Sequence, residues 1–179
     1  MDWKHLLQVV YDESLRTTRA DCGTILLFNL DVESVNENER HVIFHIGDEL
    51  NLELLPIERA VLENGEPILV DDFFSSKYQA SHEGIRSALV VPIAYQGKSV
   101  GLIHLHSLSI SCFDQTALDI TQTLAVQAAI ALGNAQRFQE QVHRNELLNR
   151  RAETLSRLFE SASALAIDQP LEQSLDVLA

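Results

Sequence analysis

Apolar residues at Trp3, Leu6, Leu7, Val10 and Leu15 recur at helical spacing, so residues 2–18 are predicted to form an amphipathic helix with Asp2 as its cap. Asp21-Cys22-Gly23 breaks that pattern, and residues 24–29 form a short apolar strand. The polar run 31–40 reads as a loop before a second strand over 41–46. Runs this dense in apolar residues point to a sheet covered on both faces. Pro56 opens a helix whose apolar face is Ile57, Val61 and Leu62 and which Asn64-Gly65 ends. A brief strand follows over 67–71, then an irregular segment over 72–84 with Phe73, Phe74, Tyr78 and His82 among polar residues. Two strands over 85–94 and 99–106 are joined by the turn Tyr95-Gln96-Gly97-Lys98.

The last pattern is the longest. From Asp114 to Ala166 there is no proline and the one glycine is Gly133, which predicts roughly 80 Å of helix at about 1.5 Å per residue. Its first part is apolar nearly all the way round, the mark of a helix buried on more than one side. Leu118, Ala125, Ala129 and Leu132 make a stripe assigned to the sheet. Leu124, Ala128, Ala131, Ala135, Phe138 and Val142 make a second, with four-three spacing, assigned to a partner helix of a homodimer. Beyond Phe138 the pairs Glu140/Arg144, Glu146/Arg150 and Glu153/Arg157 have the acid four residues ahead of the base, the better order on a helix surface. Leu148, Ala152, Leu155, Phe159, Ala162 and Ala166 keep a heptad-like seam there. Asp168-Gln169-Pro170 ends or kinks the helix, and Leu171, Leu175 and Leu178 begin a fresh amphipathic pattern. The expected organisation is a globular domain over 1–139, a coiled-coil helix over 140–167, and the start of a following domain over 168–179.

Charge narrows the partners. Of the 179 residues, 13 are Lys or Arg and 26 Asp or Glu, a net charge of −13 that repels phosphate backbones and anionic lipid. Neither nucleic acid nor a membrane surface is therefore an expected partner. Between Asp31 and Asp72 twelve acids face only Arg40 and Arg59, so the globular part carries most of the charge. Cys22 and Cys112 are the only cysteines, without CxxC spacing, which fits a reducing, cytoplasmic setting.

The order of elements and several segments resemble the GAF domain, a small regulatory sensor module related to the PAS fold. The residues that carry the likeness are Ala20-Asp21-Cys22-Gly23-Thr24-Ile25-Leu26-Leu27, Leu62-Glu63-Asn64-Gly65-Glu66-Pro67 before Asp71, Ile85 to Ile93, Gly97, Gly101 to His106, Phe113, and Ala125 to Leu132. The resemblance covers most of residues 3–139. It implies an α+β fold: an antiparallel sheet with the terminal helices on one face and a ligand pocket on the other, roofed by residues 72–84. It also implies a homodimer that signals along its C-terminal helix to an output domain in the same chain. Members that bind cyclic nucleotides share an Asn-Lys, Phe, Asp-Glu pattern; here the positions read Ser107-Leu108, Phe113 and Ala117-Leu118, and only Phe113 matches. Bilin attachment needs a cysteine near the roof, and residues 72–86 contain none. Free methionine sulfoxide reductases of this fold need several pocket cysteines, which two distant ones do not supply. No cofactor is expected.

The candidate ligand-binding residues are Phe73, Phe74, Tyr78, His82, Arg86, Ser87, His104 and His106. His104 and His106 stand two apart on a strand and so share a face, where imidazoles can bind a metal or haem iron, donate to an anion, or simply be partly buried strand residues. A metal would need a third ligand, for which His82, His41 and His45 are candidates. Arg86 and Ser87 could grip a carboxylate or phosphate. Phe73, Phe74 and Tyr78 are either lid or core plug. Asp71 and Asp72 point to opposite sides and read as strand-end or loop residues rather than a catalytic pair, and His143 reads as a solvated helix position. No nucleophile, base and orienting group converge, so the expected function is a non-catalytic sensor, with a structural dimerisation or spacer module holding an empty pocket as the alternative.

Overall fold

A computed structural model describes residues 3–28, 42–47 and 54–167. The chain divides into two units, Met1–Ala135 and Gln136–Ala179. In the first, α1 (Trp3–Thr18) leads into β1 (Cys22–Phe28) and β2 (Val42–Gly47), followed by α2 (Pro56–Asn64) and β3 (Ile68–Val70). A single 3-10 turn (Phe73–Ser75) precedes β4 (Ser87–Tyr95) and β5 (Lys98–Ser107), after which α3 begins; α3 runs Gln115–Ile167. The strands form one antiparallel sheet in the order β2-β1-β5-β4-β3. Asp2, the loop 31–40, His41 and the segment 168–179 lie outside the described residues.

The sheet separates two cores, as its dense apolar strands predict. Successive residues of a strand point to opposite faces. Ile25, Leu27, Leu89, Val91, Ile93, Ile103 and Leu105 therefore meet Leu7 and Val10 of α1 and Ala125, Ala128, Ala129 and Leu132 of α3 on one side. Leu26, Phe28, Val90 and Leu102 meet Ile57, Val61 and Leu62 of α2 on the other. Both terminal helices thus share one face and leave the opposite one to α2.

Local chemistry places the element ends. Gly65, at φ 70°, closes α2 with its N–H donating to the Val61 carbonyl. Gln96 and Gly97 both take positive φ in the β4–β5 turn, the conformation a tight hairpin needs. Gly133 is a glycine because a Cβ there would overlap the Tyr95 ring. The start of β1 departs from expectation: Cys22 and Gly23 belong to the strand, paired with His106 and Leu105. Asp21 makes this possible by binding across the sheet, its carboxylate accepting from Ser107 Oγ at 2.7 Å and the Leu108 N–H at 2.8 Å.

The stripe assigned to a partner helix needs one correction. Ala128 is 1% exposed and packs in the domain's own core, because the sheet-facing arc of α3 is wide enough to include it beside Ala125, Ala129 and Leu132. Leu124 packs partly against the same core. The large apolar side chains that α3 leaves exposed in this unit are Val126 and Ile130. In the second unit Phe138, Val142, Leu147, Leu148, Leu155, Leu158 and Phe159 are exposed. His143 is an exposed helix residue.

Candidate functional site

β5 carries the chemistry. Its alternation sends Ile103 and Leu105 into the apolar core under α1 and α3, and sends His104 and His106 to the α2 face. Directly paired residues share a face, so Thr24 and Val90 flank His104, and Cys22 and Ala88 flank His106. The two imidazole centroids lie 4.0 Å apart, tilted by 57°. Both residues are buried, at 2% and 3% exposure.

Each ring is held from behind by Nδ1. His104 Nδ1 is 2.8 Å from Glu58 Oε1, and the other Glu58 oxygen accepts from the Leu55 N–H at 2.9 Å. Glu58 reaches inward because it stands in the first turn of α2, one residue past Ile57 on the buried side of that helix. His106 Nδ1 is 3.0 Å from Ser81 Oγ, which descends from the irregular segment after the 3-10 turn. The Nε2 atoms of both rings are buried and meet no hydrogen-bond partner among the described residues. Such atoms are rare and cost about 1–3 kcal/mol each when left so. Burial, followed by the charges of His104 and His82, pushes His106 down to about 2, so it is neutral at working pH. The His82 ring stands 6.1 Å from His106. Among the described residues no group of three or more His, Cys, Asp or Glu is placed to hold a metal ion, and His45 lies on β2, two strands from His104 in the sheet order.

The other candidates fare differently. Phe73 and Tyr78 pack against the α2-side core and act as plug. Phe74 is 84% exposed and stacks against the Arg86 guanidinium at 4.5 Å, outside both core clusters. Arg86 does not reach for a ligand: Nε and Nη2 donate to the two oxygens of Asp72 at 3.1 and 3.0 Å. The Arg86 hydrogen bond holds the Asp72 carboxyl below its usual range. Ser87 is fully buried with Oγ donating to the Ser109 carbonyl at 2.7 Å, which removes it from any pocket mouth. Asp72 also caps the 3-10 turn, accepting from the Phe74 N–H, while the Asp71 carbonyl accepts from the Ser111 N–H. Glu58 and Ser81 went unnoticed in the sequence. An acid in the first turn beside Ile57 is the one signal that could have drawn attention to Glu58.

Neither cysteine forms a disulfide. Cys22 lies on the His106 side of β1, whereas Cys112 packs toward the core under α1 and α3 with Sγ 3.7 Å from the Arg19 carbonyl.

An antiparallel sheet with both terminal helices on one face and buried polar residues on the other defines a sensor-type α+β domain. The GAF domain family profile matches residues 1–133, and the chain belongs to that family. Its fold is shared with a GAF/HD domain protein from Geobacter sulfurreducens (12% identity, 75% of this chain and 94% of that one, TM-score 0.59). It is also shared with the GAF domain of a phosphoenolpyruvate-protein phosphotransferase from Coxiella burnetii (19% identity, 77% and 94%, TM-score 0.58). A third likeness is to free methionine-R-sulfoxide reductase from Neisseria meningitidis, solved with its substrate (16% identity, 75% and 88%, TM-score 0.59). No curated protein matches the chain. GAF domains are regulatory and sensor modules of signalling proteins, and no described helix is long and apolar enough to cross a membrane.

Proposed function

We propose that this GAF domain is a non-catalytic cytoplasmic sensor that binds a small molecule on the α2 face and transmits through a dimeric α3 to an output domain in the same chain. The observation that carries the reading is the His104/His106 pair. A sheet face that merely needed covering would be filled with apolar side chains, as the opposite face is. Here two buried ring nitrogens stand without a partner among the described residues while the Nδ1 atoms of the same rings are anchored, which is how a recognition site is prepared. The exposed apolar residues of α3, Ile130 and Phe138 among them, supply the seam for a second copy. Ligand affinity that differs between two packings of that seam would bias the output.

The reductase likeness does not extend to chemistry on this reading, because Cys22 and Cys112 serve opposite sides of the sheet and cannot cooperate on one substrate. A second reading, a dimerisation and spacer module, draws on the closed apolar cluster of Leu26, Val90 and Leu102 against α2. Thermal unfolding in the presence of a small-molecule cell extract separates them. A sensor ligand at a hundredfold excess over its Kd stabilises by about 2.7 kcal/mol, and mass spectrometry of the retained fraction identifies it. An unshifted transition leaves the spacer reading standing.

A further inference from the structure

The two unpartnered nitrogens differ in how far their chemistry is fixed. Glu58 offers acceptors to both the Leu55 N–H and His104, so His104 carries a hydrogen on Nδ1 and donates it. Ser81 is a hydroxyl that donates or accepts, so the His106 tautomer can adapt. With Ser81 donating to His106 Nδ1, His106 carries its hydrogen on Nε2, and a ligand group with a donor for His104 Nε2 and an acceptor for His106 Nε2 satisfies the pair. An amide is such a group, its carbonyl accepting and its N–H donating.

Other ligand classes fit less well. Two imidazoles on one tetrahedral ion at about 2.0–2.1 Å would hold their rings roughly 5 Å apart, wider than the 4.0 Å found. No third ligating side chain is gathered there among the described residues. An anion would face Glu58 directly behind His104, and Arg86 is already engaged by Asp72. A cation would leave water for a buried site whose neighbours on this face are the apolar side chains Leu26, Phe28, Val90 and Leu102. The same apolar surroundings suit an uncharged ligand.

We infer that His104 and His106 recognise a small uncharged ligand bearing a carboxamide or lactam, an inference that rests on the sensor reading above. The ligand's amide bridges the two Nε2 atoms and its apolar part takes the place that Tyr78 holds against this face. Ser81 and Tyr78, which tie residues 76–84 to this face, must shift to admit it.

The test uses the whole chain with benzamide and 2-pyrrolidone as probes, against benzoate, benzylamine and Co2+. Long-range proton–nitrogen NMR reads both imidazoles directly, and thermal unfolding reports whether each variant is folded. Benzamide or the lactam should move both Nε2 resonances saturably, and binding should fall at least tenfold in His106→Phe and for benzoate or benzylamine. His104→Phe strands Glu58 and can unfold the chain, so His106→Phe is the deciding variant. The inference is overturned if the amides leave the Nε2 resonances unmoved, if His106→Phe binds benzamide as well as the parent, if benzoate binds more tightly, or if Co2+ saturates both rings at one equivalent. Should the amides fail while the cell extract still stabilises the chain, only this inference falls; should the extract fail too, the sensor reading falls with it.

Discussion

The two faces of the sheet are built from the same strands and obey different rules. Toward α1 and α3, β5 supplies Ile103 and Leu105, which meet a continuous apolar core. Toward α2 the same strand supplies Leu102, His104 and His106, and the apolar cluster gives way to Glu58 and two imidazoles with unpartnered nitrogens. One residue of register separates a position selected for packing from one that costs stability. Local conflict of that kind, in a fold otherwise consistent from pattern to core, marks where selection acted on something other than stability.

The largest effect expected is on the packing face. Ile103→Ala removes a fully buried side chain from the core under α1 and α3 and should cost about 2–5 kcal/mol in urea unfolding. Ligand response per folded molecule should be unchanged. A loss below about 1 kcal/mol would mean that the two faces do not differ as described.

On the other face, Glu58→Ala strands the Leu55 N–H and His104 Nδ1 together, and about 3 kcal/mol of destabilisation is expected. Glu58→Gln keeps an acceptor for one of them and should recover part of the loss. If both variants behave like a surface substitution, within about 0.5 kcal/mol, the polar face is not organised around Glu58.

The faces should also part company in their response to acid. His106 is held at about 2 by burial, below its ordinary value of 6.5, so the unfolded chain binds its proton first as pH falls. Its neutral form contributes fully above pH 6.5, and stability is lost progressively between that pH and about 2, with a limiting slope of about 1.4 kcal/mol per pH unit. Asp21, held low by the Leu108 N–H and Ser107, and Asp72, held low by Arg86, work in the same direction but only below the ordinary carboxylate range. The difference between the parent chain and His106→Phe from pH 6.5 to 4.5 therefore isolates the imidazole. Parallel stability curves over that interval would show that His106 is not buried neutral.

Much of this comparison is legible in the sequence, and the reasons it stops are physical. Strand alternation places His104 and His106 on one face and Ile103 and Leu105 on the other, because a period of two admits no other arrangement. Helix α2, with Pro56 at its start and Gly65 at its end, is equally plain. The partners are not. Glu58 is one of twelve acids between Asp31 and Asp72, and beyond its place beside Ile57 nothing in the sequence says that it turns inward. Arg86 reads as a free cation until the fold brings Asp72, fourteen residues earlier, against it. The side of α3 that each alanine takes is hidden for another reason. Where a helix is apolar nearly all round, its periodicity carries no phase, and a methyl group fits against a sheet as readily as against a second helix.

That ambiguity sets the smallest and most discriminating test. Ala128 and Ile130 stand two residues apart on α3, and the structure buries one at 1% exposure while leaving the other 54% exposed. Ile130→Ser should alter unfolding of the monomer by no more than about 0.5 kcal/mol, because little of that side chain leaves water when one chain folds. In sedimentation equilibrium the same change should shift the chain toward monomer, since two copies joined along this face would each lose an apolar anchor. Phe138→Ser, at another exposed position of α3, should act in the same direction. If the parent proves to be a dimer and both variants match it, the proposed seam is wrong and a second copy docks elsewhere. The helix would then have to carry a signal without its own exposed residues forming the joint.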